Sequence, residues 1–351
     1  MIRFTLSSGL LLVWFVAFAQ IPPGYYDPAQ GLHGEELQQA LHQIIDDHLV
    51  EDYGDLWDDF YETDKSAGGL VWDMYSDVPG GTPPYTYVFF TDQCGNYSGE
   101  GDCYNREHSF PKSWFGGEIY PMYTDLFHVY PTDGYVNNKR GNFPYGEVGA
   151  ASWTSLNGSK LGSCNFPGYS QTVFEPIDAY KGDFARSMLY MSVRYYEEDA
   201  GWPGSDMFDG AQPEEWALNL LKKWHEDDPV SPKETDRNNA LYDIQQNRNP
   251  FIDHPEYVDL IWFYTGISKT RDFYVKVYPN PADDVLRISA AGPVSIVYQI
   301  TDICGKSIKQ GSLSLNIENS LNVADLNAGI YFILIRDKQS GQVNFQKIVK
   351  R

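Results

Sequence analysis

The sequence predicts an α+β protein with a mainly helical first domain and a small all-β, immunoglobulin-like sandwich behind it. Two patterns predict this. Over residues 37–263 apolar side chains recur at helical spacing in several separate segments. From about residue 270 they alternate instead, in short runs broken by turn signals, which is the period of half-buried strands. A third feature precedes both: Arg3, an apolar run from Leu10 to Val16, and the small-x-small triplet Ala17-Phe18-Ala19. That order predicts a secretory leader over residues 1–19. Its apolar run is too short to span a bilayer, and no later segment is long and apolar enough.

Taken in order, Ile21-Pro22-Pro23-Gly24 is an extended lead-in, and Leu37, Leu41, Ile44, Ile45, His48 and Leu49 mark an amphipathic helix. Residues 66–104 are rich in Gly, Pro, Tyr and Val and read as loops and short strands, with Val88-Phe89-Phe90 as a buried strand. Phe184, Met188, Leu189, Met191 and Tyr195 mark a second helix. Pro213 at a first-turn position opens a third, carrying Trp216, Leu220, Leu221 and Trp224. Another covers Asn238 to Gln246 and stops before Asn249-Pro250. Asp253 with Glu256 three residues later reads as a capping box opening one more. The Trp and Met stripes read as core. Beyond them, Val275–Tyr278, Val285–Ile288, Val297–Ile300, Ile330–Ile335 and Phe345–Val349 are strands. The expected divisions are residues 20–264, a linker over 265–272, and a β-domain over 273–351.

The formal net charge is −22. Residues 276–351 hold nine Lys/Arg against six Asp/Glu, a charge of +3, so the remainder carries −25. An acidic body excludes a broad phosphate-binding surface and leaves room only for a local cationic cleft. Export permits disulfides. Cys94 and Cys103 flank a Gly/Asn/Ser-rich turn and form a candidate pair, while Cys164 and Cys304 lie far apart in sequence.

The chemistry concentrates in two segments, Asn105-Arg106-Glu107-His108 and Val136-Asn137-Asn138-Lys139-Arg140. His108 has the side chain whose ordinary pKa suits proton abstraction from water. Its second ring nitrogen then requires an acceptor, expected to be a backbone carbonyl. Glu107 and the side-chain oxygen of Asn137 are hard ligands suited to Mg²⁺. Neighbours on a strand point to opposite faces, so Glu107 and His108 reach one phosphate only at a strand end or bend. Thr132 or Asp133 as N-cap and Gly141 as stop predict a short helix over 133–140, on which Asn137 and Arg140 are i,i+3 neighbours. Strands presenting His, packed on a helix presenting Asn, make a compact metal site.

Residues 104–142, with weaker support across 21–263, resemble the bacterial endonuclease I family of secreted and periplasmic nucleases in the His-Me finger (ββα-metal) superfamily. The resemblance rests on Asn105-Arg106-Glu107-His108, Pro111, Asp125-Leu126, Pro131, Gly134, Val136-Asn137, Arg140 and Asn142. It continues in Phe174-Glu175-Pro176, Lys181-Gly182-Asp183, Ala185-Arg186 and Gln246-Asn247-Arg248-Asn249-Pro250-Phe251. It implies His108 as general base and Glu107 with Asn137 as ligands of Mg²⁺, Mn²⁺ or Ca²⁺. It also implies a non-specific endonuclease of DNA, with RNA a further substrate, that leaves 5′-phosphates. The expected transition-state cations are Arg140, Lys112 and Arg106, in that order. His128 stands one position beyond the histidine that often follows Asp-Leu in the family, and reads as structural. Residues 275–351 resemble the C-terminal sorting domain of the type IX secretion system, through Val277-Tyr278-Pro279-Asn280-Pro281-Ala282, Leu326-Asn327-Ala328-Gly329-Ile330-Tyr331 and Lys347-Ile348-Val349-Lys350. This implies export across the outer membrane with that machinery as partner, then removal of the domain or attachment to the cell surface, so that the protein is secreted or at the cell surface; a monomer is expected. Two rival readings are a nucleic-acid-binding protein that lost cleavage and an adhesin acting through its β-domain. The joint presence of Glu107, His108 and Asn137 counts against the first. The lack of an aromatic platform on the strands counts against sugar binding by the second.

Overall fold

The computed structural model describes residues 21–264, 275–290, 292–316, 318–338 and 343–351. The expected leader (1–19) and linker (265–272) lie outside the described residues. The chain divides into two compact units, residues 1–264 and 265–351.

The first unit begins with α1 (Gly34–Ile45), which buries Leu37, Leu41 and Ile45 along one face. It stops short of the sequence expectation: His48 is buried beyond the helix, and Leu49 is exposed. α2 (Leu56–Thr63) follows. Val88–Phe90, expected as a strand, is a turn. The Asp92 carboxylate accepts from the Val88 N–H at 2.7 Å and Phe90 has φ +62°, so only Phe89 is buried.

β1 (Tyr104–His108) pairs antiparallel with β2 (Val129–Asp133), with Glu107 opposite Tyr130 and His108 opposite Val129. α3 (Gly134–Arg140) leaves β2 without a connecting residue. Asp133 caps it, its carboxylate accepting from the Val136 N–H at 2.7 Å. Gly141 ends it at φ +56°, a conformation that would strain a residue with a side chain. A three-stranded antiparallel sheet comes next, in the order β3 (Val148–Thr154), β4 (Lys160–Cys164), β5 (Thr172–Glu175).

α4 (Lys181–Arg194) is buried along its whole length and packs against α1 and a later helix, α5. Between them lies a ribbon of β6 (Phe208–Asp209) and β7 (Gln212–Pro213). Pro213 therefore sits in a strand rather than in the first turn of α5 (Glu215–Asp227). α6 (Pro232–Gln245) starts earlier than its apolar pattern suggested, because Ser231 and Glu234 form a capping box. α7 (Pro250–Asp253) and α8 (Tyr257–Trp262) complete the unit. Asp253 does not cap α8; its carboxylate is held by Arg248 at 2.6 Å and Asn238 at 2.9 Å.

A set of buried ion pairs locks this unit: Arg186 to Glu234 at 2.5 Å, Arg237 to Asp64 at 2.8 Å, and Lys181 to Glu175 at 2.7 Å. Removing one partner of such a pair costs about 3–5 kcal/mol, because the other charge stays behind without water.

The second unit consists of β8 (Val275–Tyr278), β9 (Val285–Ala290), β10 (Val294–Asp302), β11 (Ser307–Leu315), β12 (Glu318–Asn322), β13 (Gly329–Asp337) and β14 (Val343–Lys350). They form a four-stranded sheet in the order β11-β10-β13-β14 and a three-stranded sheet in the order β12-β9-β8. Leu286 and Ile288 from the smaller sheet and Ile296, Ile300, Ile333 and Ile335 from the larger share one hydrophobic cluster. β11 and β12 were not legible in the sequence, because Ser, Lys, Gln and Asn occupy most of their outward positions.

Candidate active site

Glu107 and His108 are the last two residues of β1. There the pleat ends, and both side chains line one open cavity of about 410 Å³, with Asn137 from α3. The same wall carries Arg106, Lys112, Asn142 and Tyr53.

His108 has its Nε2 3.0 Å from the carbonyl oxygen of Tyr123. A carbonyl only accepts, so Nε2 carries the proton and Nδ1 is the basic nitrogen. Nδ1 takes no hydrogen bond among the described residues. Tyr123 stacks on the imidazole with ring centroids 5.3 Å apart, and Tyr53 stacks on Tyr123 at 4.2 Å. Burial pushes the His108 pKa down to about 3, with the neighbouring His128 adding to the effect, so the ring is neutral at neutral pH.

The Glu107 carboxylate is buried, which pushes its pKa up to about 7 against the pull of Arg140 and the Tyr75 hydroxyl. Tyr75 donates to Oε1 at 2.9 Å and Arg140 at 3.1 Å, while Oε2 has no partner among the described residues. The Asn137 amide is oriented in the same way. Its Nδ2 donates to Asn105 Oδ1 at 2.7 Å and to the Arg106 carbonyl at 3.3 Å, which frees Oδ1. Two hard oxygens without donors, on the wall of one open cavity, fit a hard divalent cation. Positive charge there would also relieve the desolvation that holds Glu107 up.

Arg140 stands apart from the expectation that it meets the phosphate. Its guanidinium is fully buried and is spent on Glu107, on the His108 carbonyl at 2.8 Å and on the Ser109 carbonyl at 2.5 Å. It does not line the cavity. It braces the end of β1 from behind. Arg106 and Lys112 do line it. The Arg106 guanidinium lies 3.5 Å from the Tyr53 ring centre and 4.4 Å from that of Trp57, and donates to the Tyr53 carbonyl. Lys112 is exposed and pairs with Glu118 at 2.9 Å. His128 is fully buried, with Nε2 2.6 Å from the Met122 carbonyl. A disulfide joins Cys94 to Cys103, Cα atoms 5.7 Å apart, in the loop leading into β1. Cys164 and Cys304 are free thiols.

Sequence reasoning missed Tyr53, Tyr75 and Tyr123. No spacing links them to β1, and each reaches the site only through the tertiary fold. His42, Asp46 and Glu198 also cluster at metal-ligand distance, but Arg194 already pairs with both carboxylates, at 2.8 and 3.0 Å.

Residues 33–256 match the family described as Endonuclease I, and residues 276–351 match the secretion system C-terminal sorting domain. An extracellular ribonuclease of Bacillus amyloliquefaciens is 36% identical over 248 residues, covering 68% of this chain and 78% of the relative. An extracellular ribonuclease of Bacillus subtilis is 34% identical, with coverage of 68% and 78%. An extracellular deoxyribonuclease of Aeromonas hydrophila is 26% identical over 39% of this chain and 51% of the relative. The chain belongs to the endonuclease I family, and it is a secreted or cell-surface protein. Metal dependence is general in that family. Among the described residues no helix is long and apolar enough to cross a membrane.

Proposed function

We propose that the protein is a Mg²⁺-dependent, sequence-non-specific endonuclease that hydrolyses phosphodiester bonds in DNA and RNA and leaves 5′-phosphates. The observation that carries this reading is the fixed tautomer of His108, whose basic Nδ1 shares a cavity wall with the free oxygens of Glu107 and Asn137. His108 Nδ1 takes the proton from the attacking water, a role that contributes roughly 10²–10⁴-fold. Its Nε2–H stays on the Tyr123 carbonyl and holds the ring in place. Glu107 and Asn137 hold Mg²⁺, which when bound supplies positive charge beside the scissile phosphate. Arg106 and Lys112 contact the phosphates, and Arg140 is a positioning residue for Glu107. The pair β1–β2 with α3 is read as a ββα-metal core.

Water as nucleophile makes no use of a 2′-hydroxyl, so the site has no chemical reason to refuse either sugar. The names of the Bacillus and Aeromonas relatives, ribonuclease and deoxyribonuclease, favour activity on both. Residues 1–19 are proposed as a leader, 20–264 as the nuclease domain, 265–272 as a linker and 273–351 as an immunoglobulin-like sorting sandwich for type IX export. The enzyme acts as a monomer.

The test is nicking of supercoiled plasmid and cutting of single-stranded RNA, each with Mg²⁺ and with EDTA. Cleavage of both that EDTA abolishes, with 5′-phosphate ends, is expected. Full activity in EDTA, or binding without any cut, overturns the proposal.

A further inference from the structure

Beside the catalytic cavity lies a second one, of about 460 Å³, that shares Ser113 and Asn142 with it. The two therefore adjoin, and their chemistry differs sharply. The first carries Arg106 and Lys112. The second carries no Lys or Arg, and its one charged side chain is Asp206. A phosphate is attracted to the first and repelled by the second.

The second cavity is instead lined by rings, Trp114, Phe143 and Tyr169, and by small polar groups such as Gln171 and Thr172. Tyr169 is held rigidly. One face stacks on Trp216 with centroids 4.3 Å apart and planes 6° apart. Its hydroxyl donates to Asp206 Oδ2 at 2.9 Å, and the Trp216 indole N–H donates to the Asp206 carbonyl at 2.9 Å. Gly168 makes the approach possible: at φ +95°, a Cβ there would lie 2.7 Å from the Trp216 Cβ. Phe143 is exposed at the junction, next to the shared Asn142.

We infer that this second cavity is a nucleobase subsite, taking the base of the nucleotide next to the scissile phosphate and stacking it against Tyr169 and Phe143. The inference rests on the nuclease reading above and adds to it where the base goes. An uncharged, flat, hydrogen-bonding group fits an aromatic and polar pocket that repels phosphate, while the phosphate attached to it lies in the adjoining cationic cavity. The Asp206 carboxylate accepts hydrogen bonds only, so it suits bases with amino or imino N–H groups. A base inside a duplex is already stacked, so the occupant belongs to a single-stranded stretch of RNA or DNA.

The test uses the full chain and single-stranded oligonucleotides. In EDTA, 2-aminopurine is placed at successive positions and its quenching by stacking is followed. With Mg²⁺, kcat/KM is measured on the oligonucleotide with one abasic residue at each position, and on a fully abasic oligonucleotide of the same length, which has no ring to stack. Base–aromatic stacking predicts that Tyr169→Ala weakens oligonucleotide binding about tenfold. The wild type loses about as much for an abasic residue at one position beside the cut, and Tyr169→Ala loses that sensitivity. Phe143→Ala, at an exposed site, should act in the same direction. Both variants leave turnover of the fully abasic oligonucleotide unchanged. Equal losses on both substrates, or a wild type indifferent to abasic residues at every position, overturn the subsite. Quenching that Tyr169→Ala abolishes, in a protein that cuts nothing, supports the subsite while the nuclease reading falls.

Discussion

Arg140→Ala tests whether the buried guanidinium is a brace or a phosphate ligand. In the structure it is fully buried and donates to Glu107, His108 and Ser109. Removing it leaves the Glu107 carboxylate buried without its ion pair and two carbonyls without that donor. Breaking a buried pair in this way costs about 3–5 kcal/mol. The backbone bonds that go with it belong to the same network, so they are not added separately. For a domain of this size each kcal/mol moves Tm by about 2–4 °C, which gives a drop of roughly 6–20 °C. The deficit should grow from pH 6 to pH 8. Without Arg140 the Glu107 pKa, already about 7, rises further, and forcing ionisation becomes more costly as pH increases. The assay is denaturant unfolding in EDTA followed by tryptophan fluorescence, alongside oligonucleotide binding against salt. Removing a brace leaves the salt slope alone, whereas removing a cation that neutralises one phosphate lowers it by about 0.7–0.9. Stability within about 1 kcal/mol of wild type together with a shallower slope would refute the reasoning.

Four further outcomes follow from the geometry. His108→Ala should lower turnover roughly 10²–10⁴-fold with fold and binding intact; turnover within about threefold of wild type removes His108 from the base role. Glu107→Ala and Asn137→Ala should each raise the Mg²⁺ concentration needed for half-maximal cutting, with partial rescue at high metal, so an unchanged metal profile counts against them as ligands. Burial holds Asp73 at about 7 against an ordinary value of 3.8, so the native state binds the extra proton and stability falls as pH rises through that window. Asp73→Asn should therefore gain on wild type between about pH 4 and pH 7 in thermal melts, and parallel curves would contradict the assignment. Residues 20–270 alone should show the same binding-versus-salt slope as the mature chain, because the β-domain's role is export; a large drop would make that domain a nucleic-acid binder.

The parts of the site that were legible in the sequence are those fixed by local rules. A cap at Thr132 or Asp133, Gly141 as stop and the placement of Glu107 and His108 at a strand end or bend each follow from a few adjacent residues, and the structure settles on Asp133 and the strand end. The helix pattern also put Asn137 beside Arg140, but spacing says nothing of depth. α3 spans barely two turns, and its inner face meets β1, so the long Arg140 side chain is drawn under the strand end while Asn137 stays at the rim. The tyrosines around His108 and Glu107 come from residues 53, 75 and 123, where no local period marks them. Arg186 and Arg248 lie in segments that carried the resemblance in the sequence, yet both are buried in structural ion pairs with Glu234 and Asp253. These two arginines thus mark architecture, and their distance from the cavity, which spacing in the sequence does not show, is what tells them apart from site residues.

The electrostatics of Glu107 set an order of assembly. Arg140 already balances its charge, so the free site offers a cation one half-neutralised carboxylate and one carboxamide. That is a weak ligand set for a hard ion that prefers several oxygens. On the proposed reading the missing oxygens and the missing negative charge come with the substrate phosphate, which Arg106 and Lys112 on the same wall would attract. Metal and nucleic acid should then bind cooperatively, each raising the other's affinity by the same factor. Metal binding in the absence of substrate should then be weak, and titrating Mg²⁺ with and without a non-cleavable oligonucleotide checks this; equal affinities refute the coupling.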